Sequence, residues 1–168
     1  MIEHVGQITQ AQYDEIEAGE KDPFGLDDDD IEWQGKTHQT LLRGDDGTLI
    51  AKVGLVVVDV EAGREAFQVA GVGGVIVTRA ERGKGRLRQT LEPALERARA
   101  LGPEHAMLFC AERNVAVYGR FGFELIEAPV IVQQPAGPFV MPMPAMWCPL
   151  REGATWPVGL VSLPGPPF

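Results

Sequence analysis

The segment that most constrains the fold is residues 75–88, where an apolar stretch runs into a basic loop with two glycines and then into a helical pattern. Residues 66–77 are rich in valine, which favours a strand, and their internal glycines are typical of a bulge or a close backbone approach. Over 85–101 apolar residues recur every three or four positions, which predicts an amphipathic helix, with a kink expected at Pro93. The chain therefore predicts a strand–loop–helix unit.

The loop of this unit has the chemistry of an anion site. Gly83 and Gly85 lack side chains, so consecutive backbone N–H groups can face one anion, and the free N–H groups at the start of the helix add to that field. Basic side chains can neutralise phosphate oxygens. A pyrophosphate is therefore predicted to bind at Arg82, Gly83, Lys84, Gly85, Arg86 and Leu87. A solvated basic connection is the open alternative, because the glycine spacing matches neither the nucleotide-hydrolase loop nor the dinucleotide fingerprint.

The rest of the chain predicts a mixed sheet. Strand patterns cover 2–8, 37–43, 49–60, 66–77, 106–111 and 123–126, and helical patterns cover 9–20, 85–101 and 114–121. From Pro129 onward the chain holds ten of its thirteen prolines, which predicts a strand plus an ordered extended wrap. Hairpin-connected strands first and alternating helices later favour an α/β (α+β mixed) fold in a single domain over 1–168.

The charge of the chain is divided unevenly. Residues 1–32 hold eleven acids and one base, a net charge of −10, and the remaining residues hold fourteen bases and thirteen acids, +1, which gives −9 in total. The basic cluster at 79–99 has no interleaved aromatic residues. This distribution argues against a nucleic-acid binder.

Other classes are disfavoured by specific segments. The longest apolar runs, such as 53–58 and 69–77, are far below the roughly 20 residues of a membrane helix. The first residues lack the pattern of a signal peptide, which favours a cytoplasmic protein. Cys110 and Cys148 lie outside any metal-ligand spacing, so reduced thiols are expected, with a disulfide left open, and no metal is expected.

Two motifs resemble those of a known family. Val77-x-x-x-x-Arg82-Gly83-x-Gly85, followed by an amphipathic helix, resembles the phosphate-binding motif of the Gcn5-related N-acetyltransferases (GNAT). About 35 residues downstream, the segment Tyr118 to Phe123 resembles their second signature, Tyr-x-x-x-Gly-Phe. The two motifs cover roughly 66–126, and the order of predicted elements is similar to that fold across most of the chain.

The resemblance implies a GNAT-like twisted sheet, mostly antiparallel and partly parallel, flanked by helices. It divides the chain into an acceptor-side half at 1–65, an acetyl-CoA-binding core at 66–126, and a C-terminal strand with a proline-rich wrap at 127–168. The wording of the second motif looks most like the aminoglycoside-acetylating branches. The proline-rich tail has a counterpart in the aminoglycoside 2′-N-acetyltransferases.

Three positions depart from the family pattern. Leu87 stands where a last small residue of the loop is usual, and Ala111 stands where an asparagine is common. Gly73 occupies the strand position at which the 2′-N-acetyltransferases place a glutamate. The carboxylate base of that subgroup is therefore not carried over to this chain.

The resemblance also implies a mechanism with acetyl-CoA as the acyl donor and no metal. The pantetheine arm would lie along the strand through Val75, Ile76 and Val77 and bond to its backbone. A backbone N–H near Val75 would polarise the thioester carbonyl, and Tyr118 would protonate the departing thiolate. Simple packing of Tyr118 is the open alternative.

The general base is not fixed by the motifs. The carboxylates considered are those of Asp59, Glu112 and Glu124 and the terminal carboxylate of Phe168. In one mycobacterial aminoglycoside-acetylating branch that the chain resembles, the C-terminal carboxylate fills this role. Phe168 is therefore the catalytic candidate beside Tyr118, with a frayed terminus as the open alternative.

The acidic front end suggests the acceptor. Acids in the region where this fold binds its acceptor would attract a small cationic amine, such as an aminoglycoside or a polyamine. The candidate binding residues are Asp27, Asp28, Asp29, Asp30 and Trp33. The alternatives are a solvated charge run, a protein or peptide lysine acetyltransferase, and a catalytically silent acyl-CoA-binding domain. The expected partners are acetyl-CoA and a small amine, without nucleic acid or membrane, and the resemblance allows a homodimer.

Overall fold

The computed structural model describes residues 1–17 and 30–168. The first strands, β1 to β4, are Ile2–Val5, His38–Arg43, Leu49–Ala62 and Glu65–Val77, and helix α1, Gln10–Glu17, follows β1. The middle of the chain forms α2, Arg86–Leu101, then β5, His105–Phe109, and α3, Val115–Gly119. The last strands, β6 to β10, are Glu124–Leu125, Val130–Gln134, Gly137–Val140, Ala145–Pro149 and Val161–Ser162.

The described strands form one mixed sheet in the order β6-β9-β5-β4-β3-β10-β7-β8. Strand β2 also pairs with β3, and β1 pairs with β2. The β4–β5 and β7–β10 pairs are parallel, and the others are antiparallel. This arrangement confirms the predicted mixed α/β fold.

The C-terminal region has more regular structure than the sequence predicted. One strand and an extended wrap were expected after Pro129, but β7, β8, β9 and β10 all lie there. The prolines are accommodated because Pro138 lies on the outermost strand of the sheet and Pro149 is the last residue of its strand. At those places a missing N–H costs no central ladder bond.

Helix α2 covers one face of the sheet, as its pattern predicted. Its buried apolar residues, Leu91, Ala94, Leu95 and Ala98, pack with residues of β3, β4 and β5 in one core. The helix begins after Gly85, whose φ of 75° is left-handed, and ends at Gly102. It continues through Pro93, where the expected kink stays a prediction.

The opposite face of the sheet carries a second core. Along β4, Ala70 and Val72 belong to the α2 side, whereas Val69 belongs to the other side, as the alternation of a strand requires. The second core also contains Phe168 at the end of the chain. The chain terminus is thus packed onto the face of β4 that lies away from α2.

Candidate active site

The site forms where β4 and β5 separate. Their parallel pairing ends at Val72 and Leu108, although β4 continues to Val77. Beyond β5, the N–H of Cys110 donates to the carbonyl of Pro144 at 3.0 Å, which directs this segment towards β9. In the described part of the chain, residues 73–77 therefore have no strand neighbour on the β5 side, and an extended ligand can bond to this edge.

A bulge shapes β4 at the same place. Lys52 of β3 pairs with Ile76, but Gly54 pairs with Gly73, so β4 holds one more residue than β3 between these pairs. Gly74 takes a φ of 57°, which a residue with a side chain rarely adopts. The sequence predicted a bulge from the glycines, and the structure confirms it.

The loop after β4 has the shape of an anion cradle. Gly83 and Gly85 both have left-handed φ values, 76° and 75°, and no side chain caps the first turn of α2. The first N–H groups of an α-helix have no partner within the helix, so this turn has donors available for a phosphate group. The backbone of the predicted loop therefore fits a pyrophosphate.

The basic side chains of the loop have partners that sequence reasoning missed. The carboxylate of Glu81 accepts hydrogen bonds from Lys84 Nζ at 2.9 Å and from Arg86 Nε at 2.7 Å, and these bonds lower the pKa of Glu81. Arg82 Nε donates to the carbonyl of Val77 at 3.0 Å. Lys84 and Arg86 are thus held at the loop by ion pairs with Glu81, and the signal for this in the sequence was an acid inside a run of bases.

A cleft of about 830 Å³ opens beside the β4 edge and gathers part of the predicted site. Val75, Tyr118, Trp33 and Phe168 all line it. Asp30 is exposed and does not line the cleft, and Asp27, Asp28 and Asp29 lie outside the described residues. The structure therefore places both catalytic candidates, Tyr118 and Phe168, in the lining of one cleft. Asp30 contributes no carboxylate to that lining.

Tyr118 projects from α3 into this cleft. Its side chain is buried, and its ring meets that of Phe123 edge-to-face with centroids 6.0 Å apart. Burial, and secondly the neighbouring Cys110, raise the pKa of Tyr118 to about 12. The phenol is therefore protonated at neutral pH, which is the form that a proton donor needs.

Phe168 lies on a floor of glycines. A Cβ placed on Gly71 would be 2.6 Å from the Phe168 ring, and one placed on Gly73 would be 2.8 Å from the Phe168 carboxyl carbon. The ring of Phe168 also packs against Phe109 with centroids 5.3 Å apart. Gly73 thus leaves the space that the terminal carboxyl group fills.

The other base candidates lie elsewhere. Asp59 accepts a hydrogen bond from Gln68 at 3.0 Å and lines a different cavity, together with residues of β4, β7 and β10. Glu112 and Glu124 are exposed and are not part of the cleft lining. Among the carboxylates considered from the sequence, that of Phe168 alone reaches the cleft.

Two lysines of the cleft escaped the sequence analysis. Lys52 is 2% exposed, its Nζ donates to the Gly74 carbonyl at 2.8 Å and lies 5.1 Å from the centre of the Tyr13 ring. Lys36 donates to the Gln34 carbonyl at 2.8 Å. The pKa of each lysine is lowered to about 8, and burial is the main cause for both. At Lys52 the charge of Lys36 contributes to this lowering, and the charge of Glu17 opposes it.

The comparisons with known proteins agree with this geometry. Residues 6–126 match the family model of the acetyltransferase (GNAT) domain. A GNAT family N-acetyltransferase from Escherichia coli, solved in complex with CoA, superposes with a TM-score of 0.67 at 21% identity, over 98% of this chain and 89% of that chain. The chain therefore belongs to the GNAT family, and it is an N-acetyltransferase that uses acetyl-CoA.

Other solved structures share the fold at lower identity. An acetyltransferase of the GNAT family from Staphylococcus aureus has a TM-score of 0.61 at 11% identity, over 90% of this chain and 100% of that chain. N-acetylglutamate synthase from Neisseria gonorrhoeae, complexed with coenzyme A and N-acetyl-glutamate, has a TM-score of 0.57 at 12% identity, over 90% of this chain and 36% of that chain. No curated protein matches the chain.

The described residues form neither a metal-binding cluster nor a membrane-spanning helix. Within 1–17 and 30–168, no group of three or more His, Cys, Asp or Glu side chains is placed to hold a metal ion. None of the helices formed by those same residues has the length and apolar character required to cross a bilayer.

Proposed function

We propose that this chain transfers the acetyl group of acetyl-CoA directly to a primary amine bound in the cleft beside β4. The observation that carries the proposal is the meeting of the free edge of β4 and the buried phenol of Tyr118 at one cleft, with the uncapped start of α2 a few residues beyond the end of β4. These are the parts that a direct transfer needs: a place for the donor, a place for the acceptor and a proton donor.

The donor is expected to bind in two parts. The pyrophosphate would accept hydrogen bonds from the backbone at 83–87, with Arg82, Lys84 and Arg86 supplying positive charge nearby. The pantetheine would add to β4 through the backbone of Val75 and Val77, with Ile76 between them on the buried side. This arrangement would direct the thioester towards the bulge at Gly74.

Each chemical step then has a group of this chain beside it. The amine nitrogen attacks the thioester carbon, and the N–H of Val75 stabilises the negative charge that forms on the carbonyl oxygen. When the carbon–sulfur bond breaks, Tyr118 gives its proton to the departing thiolate. The carboxylate of Phe168 accepts the proton that the amine loses, and solvent returns a proton to Tyr118.

The identity of the acceptor beyond a primary amine is a separate question. Two observations support a small cationic amine of the aminoglycoside or polyamine type. They are the acidic residues 27–30 and the motif resemblance to aminoglycoside-acetylating branches. Of the proposed binding residues, Trp33 lines the cleft and contacts Phe109 edge-to-face at 6.4 Å. Trp33 supplies an apolar wall that any small amine could use.

The test is a screen of primary amines with acetyl-CoA, in which acetylated products are identified by mass spectrometry. The panel includes amino acids, polyamines, aminoglycosides and a lysine-containing peptide, so that each acceptor class is represented. A product that forms with the wild-type protein and falls sharply with Tyr118→Phe supports direct transfer. Thermal stabilisation by acetyl-CoA without any product would contradict the proposed transfer to a primary amine in this cleft.

A further inference from the structure

The acceptor side of the cleft holds more positive than negative charge in its described part. Lys36, Lys52 and Arg113 line it, and the terminal carboxyl group of Phe168 is the acid among its described lining residues. None of the three basic side chains forms an ion pair with a described residue. A cationic acceptor would therefore meet like charges there.

Lys52 is the most constrained of these cations. Its side chain is almost fully buried, and its described polar contact is with a neutral carbonyl, that of Gly74. Glu17, the nearest acid acting on it, lies at the end of α1 and is not part of the cleft lining. Burying an ammonium group without an anion beside it is costly, and a bound anion removes that cost.

Lys36 is brought to the same place by glycines. A Cβ placed on Gly54 would lie 2.5 Å from Lys36 Cγ, and one placed on Gly73 would lie 2.6 Å from Lys36 Cε. These two glycines face each other across β3 and β4, so the aliphatic part of Lys36 lies across the bare backbone of both strands. The glycines thus hold a second ammonium group near Lys52.

A neutral group in the cleft also lacks a partner. Gln39 is 6% exposed, lines the cleft, and its side-chain oxygen makes no hydrogen bond with any described residue. An amine or ammonium N–H of a ligand would supply the missing donor. The described part of the cleft therefore holds one carboxyl group, that of Phe168, for three cations, and no donor for this amide.

We infer that the acceptor is an amine that also carries an anionic group, a carboxylate or a phosphate, and that Lys36 and Lys52 bind this group. The inference rests on the proposed function and specifies its acceptor. The lowered pKa values of both lysines agree with two buried cations that lie close together, and a bound anion would raise them again.

The test compares acceptors that differ only in the anion. Amino acids are compared with their amides, phosphoethanolamine with ethanolamine, and spermidine represents polycations. The anionic member of a pair is expected to exceed its neutral partner in kcat/KM by at least about tenfold. The carboxylate and phosphate arms show which anion the site takes. A neutral amine or spermidine as the best acceptor would overturn the inference while leaving the proposed transfer intact.

Variants then assign the effect to the lysines. Lys36→Met and Lys52→Met are each expected to raise KM for the anionic acceptor by at least about tenfold, with kcat changed less than about threefold. Arg64→Met, at the exposed turn between β3 and β4, removes the same charge away from the cleft and should have no effect. If Lys52→Met does not fold, as judged by circular dichroism, the KM of Lys36→Met for the anionic acceptor decides whether the inference holds. An unchanged preference in the folded variants would contradict the inference.

A binding measurement separates this inference from the proposed function. Succinate and inorganic phosphate, each compared with sodium chloride at equal ionic strength, should raise the Tm of the wild type by roughly 2–4 °C. Lys36→Met should lose that shift. If no amine is acetylated, the transfer proposal fails while this measurement still tests the anion site. Absence of any shift, together with no preference for anionic acceptors, would rule the site out.

Discussion

The carboxyl carbon of Phe168 lies over Gly73, 2.8 Å from the point that a Cβ at this position would occupy. Side chains cannot approach so closely, so the terminal residue reaches the cleft because this strand position has no side chain. Pro167 secures the approach, since its carbonyl accepts a hydrogen bond from the N–H of Gln34 at 2.6 Å. The last residues are thereby tied to the segment that carries Trp33 and Lys36.

Gly73→Ala is expected to displace Phe168 and to lower acetylation by at least about tenfold, because a 1 Å misplacement of a catalytic group can cost that much or more. The new methyl group would also press against Lys36 Cε. Steady-state kinetics measure the effect. Gly6→Ala is the matched control, since its Cβ would meet only an ordinary contact at 3.9 Å. Equal activity of the two variants would contradict the role given to Gly73.

The proposed base predicts sensitivity to an extension of the chain. Two residues added after Phe168 move the free carboxylate away from Gly73, and turnover should fall by about 100-fold, within the usual contribution of a general base. The comparison is with the same two residues added before Met1, which is exposed. Undiminished turnover with the C-terminal extension would eliminate this carboxylate as the base.

Tyr118→Phe is expected to keep the fold and acetyl-CoA binding but to lower kcat at least about tenfold, because the variant cannot protonate the thiolate. The loss should shrink at high pH, where the thiolate leaves without a proton. Because the pKa of Tyr118 is raised to about 12, the wild type should show no loss of this donor up to about pH 11. A full pH profile of both proteins is the measurement, and an unchanged rate removes Tyr118 from the mechanism.

The strand edge and the loop proposed for the donor could be predicted from the sequence because they are local. The strand, the glycines at 83 and 85 and the helix that follows lie within one continuous segment, and each signals its own backbone conformation. Tyr118 could be selected as a catalytic candidate because its motif is equally short. The structure moved the element ends by a few residues but changed none of these positions.

The acceptor side could not be predicted because it is assembled from distant segments. Lys52 stands in an apolar strand, where alternation gives a polar residue an exposed face by default, and the side chains that bury it come from α1 and from the segment before β2. Nothing near Lys36 in sequence indicates that it lies across Gly54 and Gly73. The sequence instead predicted acceptor binding at the acidic residues 27–30, yet Asp30 lies outside the cleft lining.

Substitutions in the loop should separate the effect of backbone strain on stability from the effect of loop conformation on CoA affinity. Gly85→Ala places a side chain at a φ of 75° and should cost about 1–2 kcal/mol of stability, although its Cβ would meet no other atom within 4 Å. Relaxing this strain changes the start of α2, so the affinity for CoA should fall at least about tenfold. Calorimetric titration with CoA measures it.

Gly47→Ala is the control for this variant. Gly47 has a similar φ of 83°, its Cβ would also meet nothing within 4 Å, and it lies in the turn between β2 and β3, away from the loop. It should lose comparable stability and keep its affinity for CoA. Equal losses of CoA affinity in both variants would mean that general destabilisation, not the loop, controls binding.

Lys52 predicts an unusual dependence of stability on pH. Its pKa is about 8 in the folded chain and near 10.5 in the unfolded chain, so between these values the unfolded state binds more protons and stability rises with pH. The rise amounts to about 3 kcal/mol if the full difference is realised. Tyr118 acts in the opposite sense, but only above about pH 10, where the unfolded phenol ionises.

Chemical denaturation at pH 7.5, 8.5 and 9.5 therefore measures the contribution of Lys52. The wild-type free energy of unfolding should increase over this range, and the increase should be clearly smaller in Lys52→Met. In that variant Lys36 still raises stability with pH, while the buried thiols of Cys110 and Cys148, whose pKa values are raised, act in the opposite sense in both proteins. Saturating phosphate should also reduce the slope in the wild type, because a bound anion restores the ammonium form and raises its pKa in the folded chain. A slope that is identical in wild type and Lys52→Met would show that this lysine is not desolvated in the folded protein.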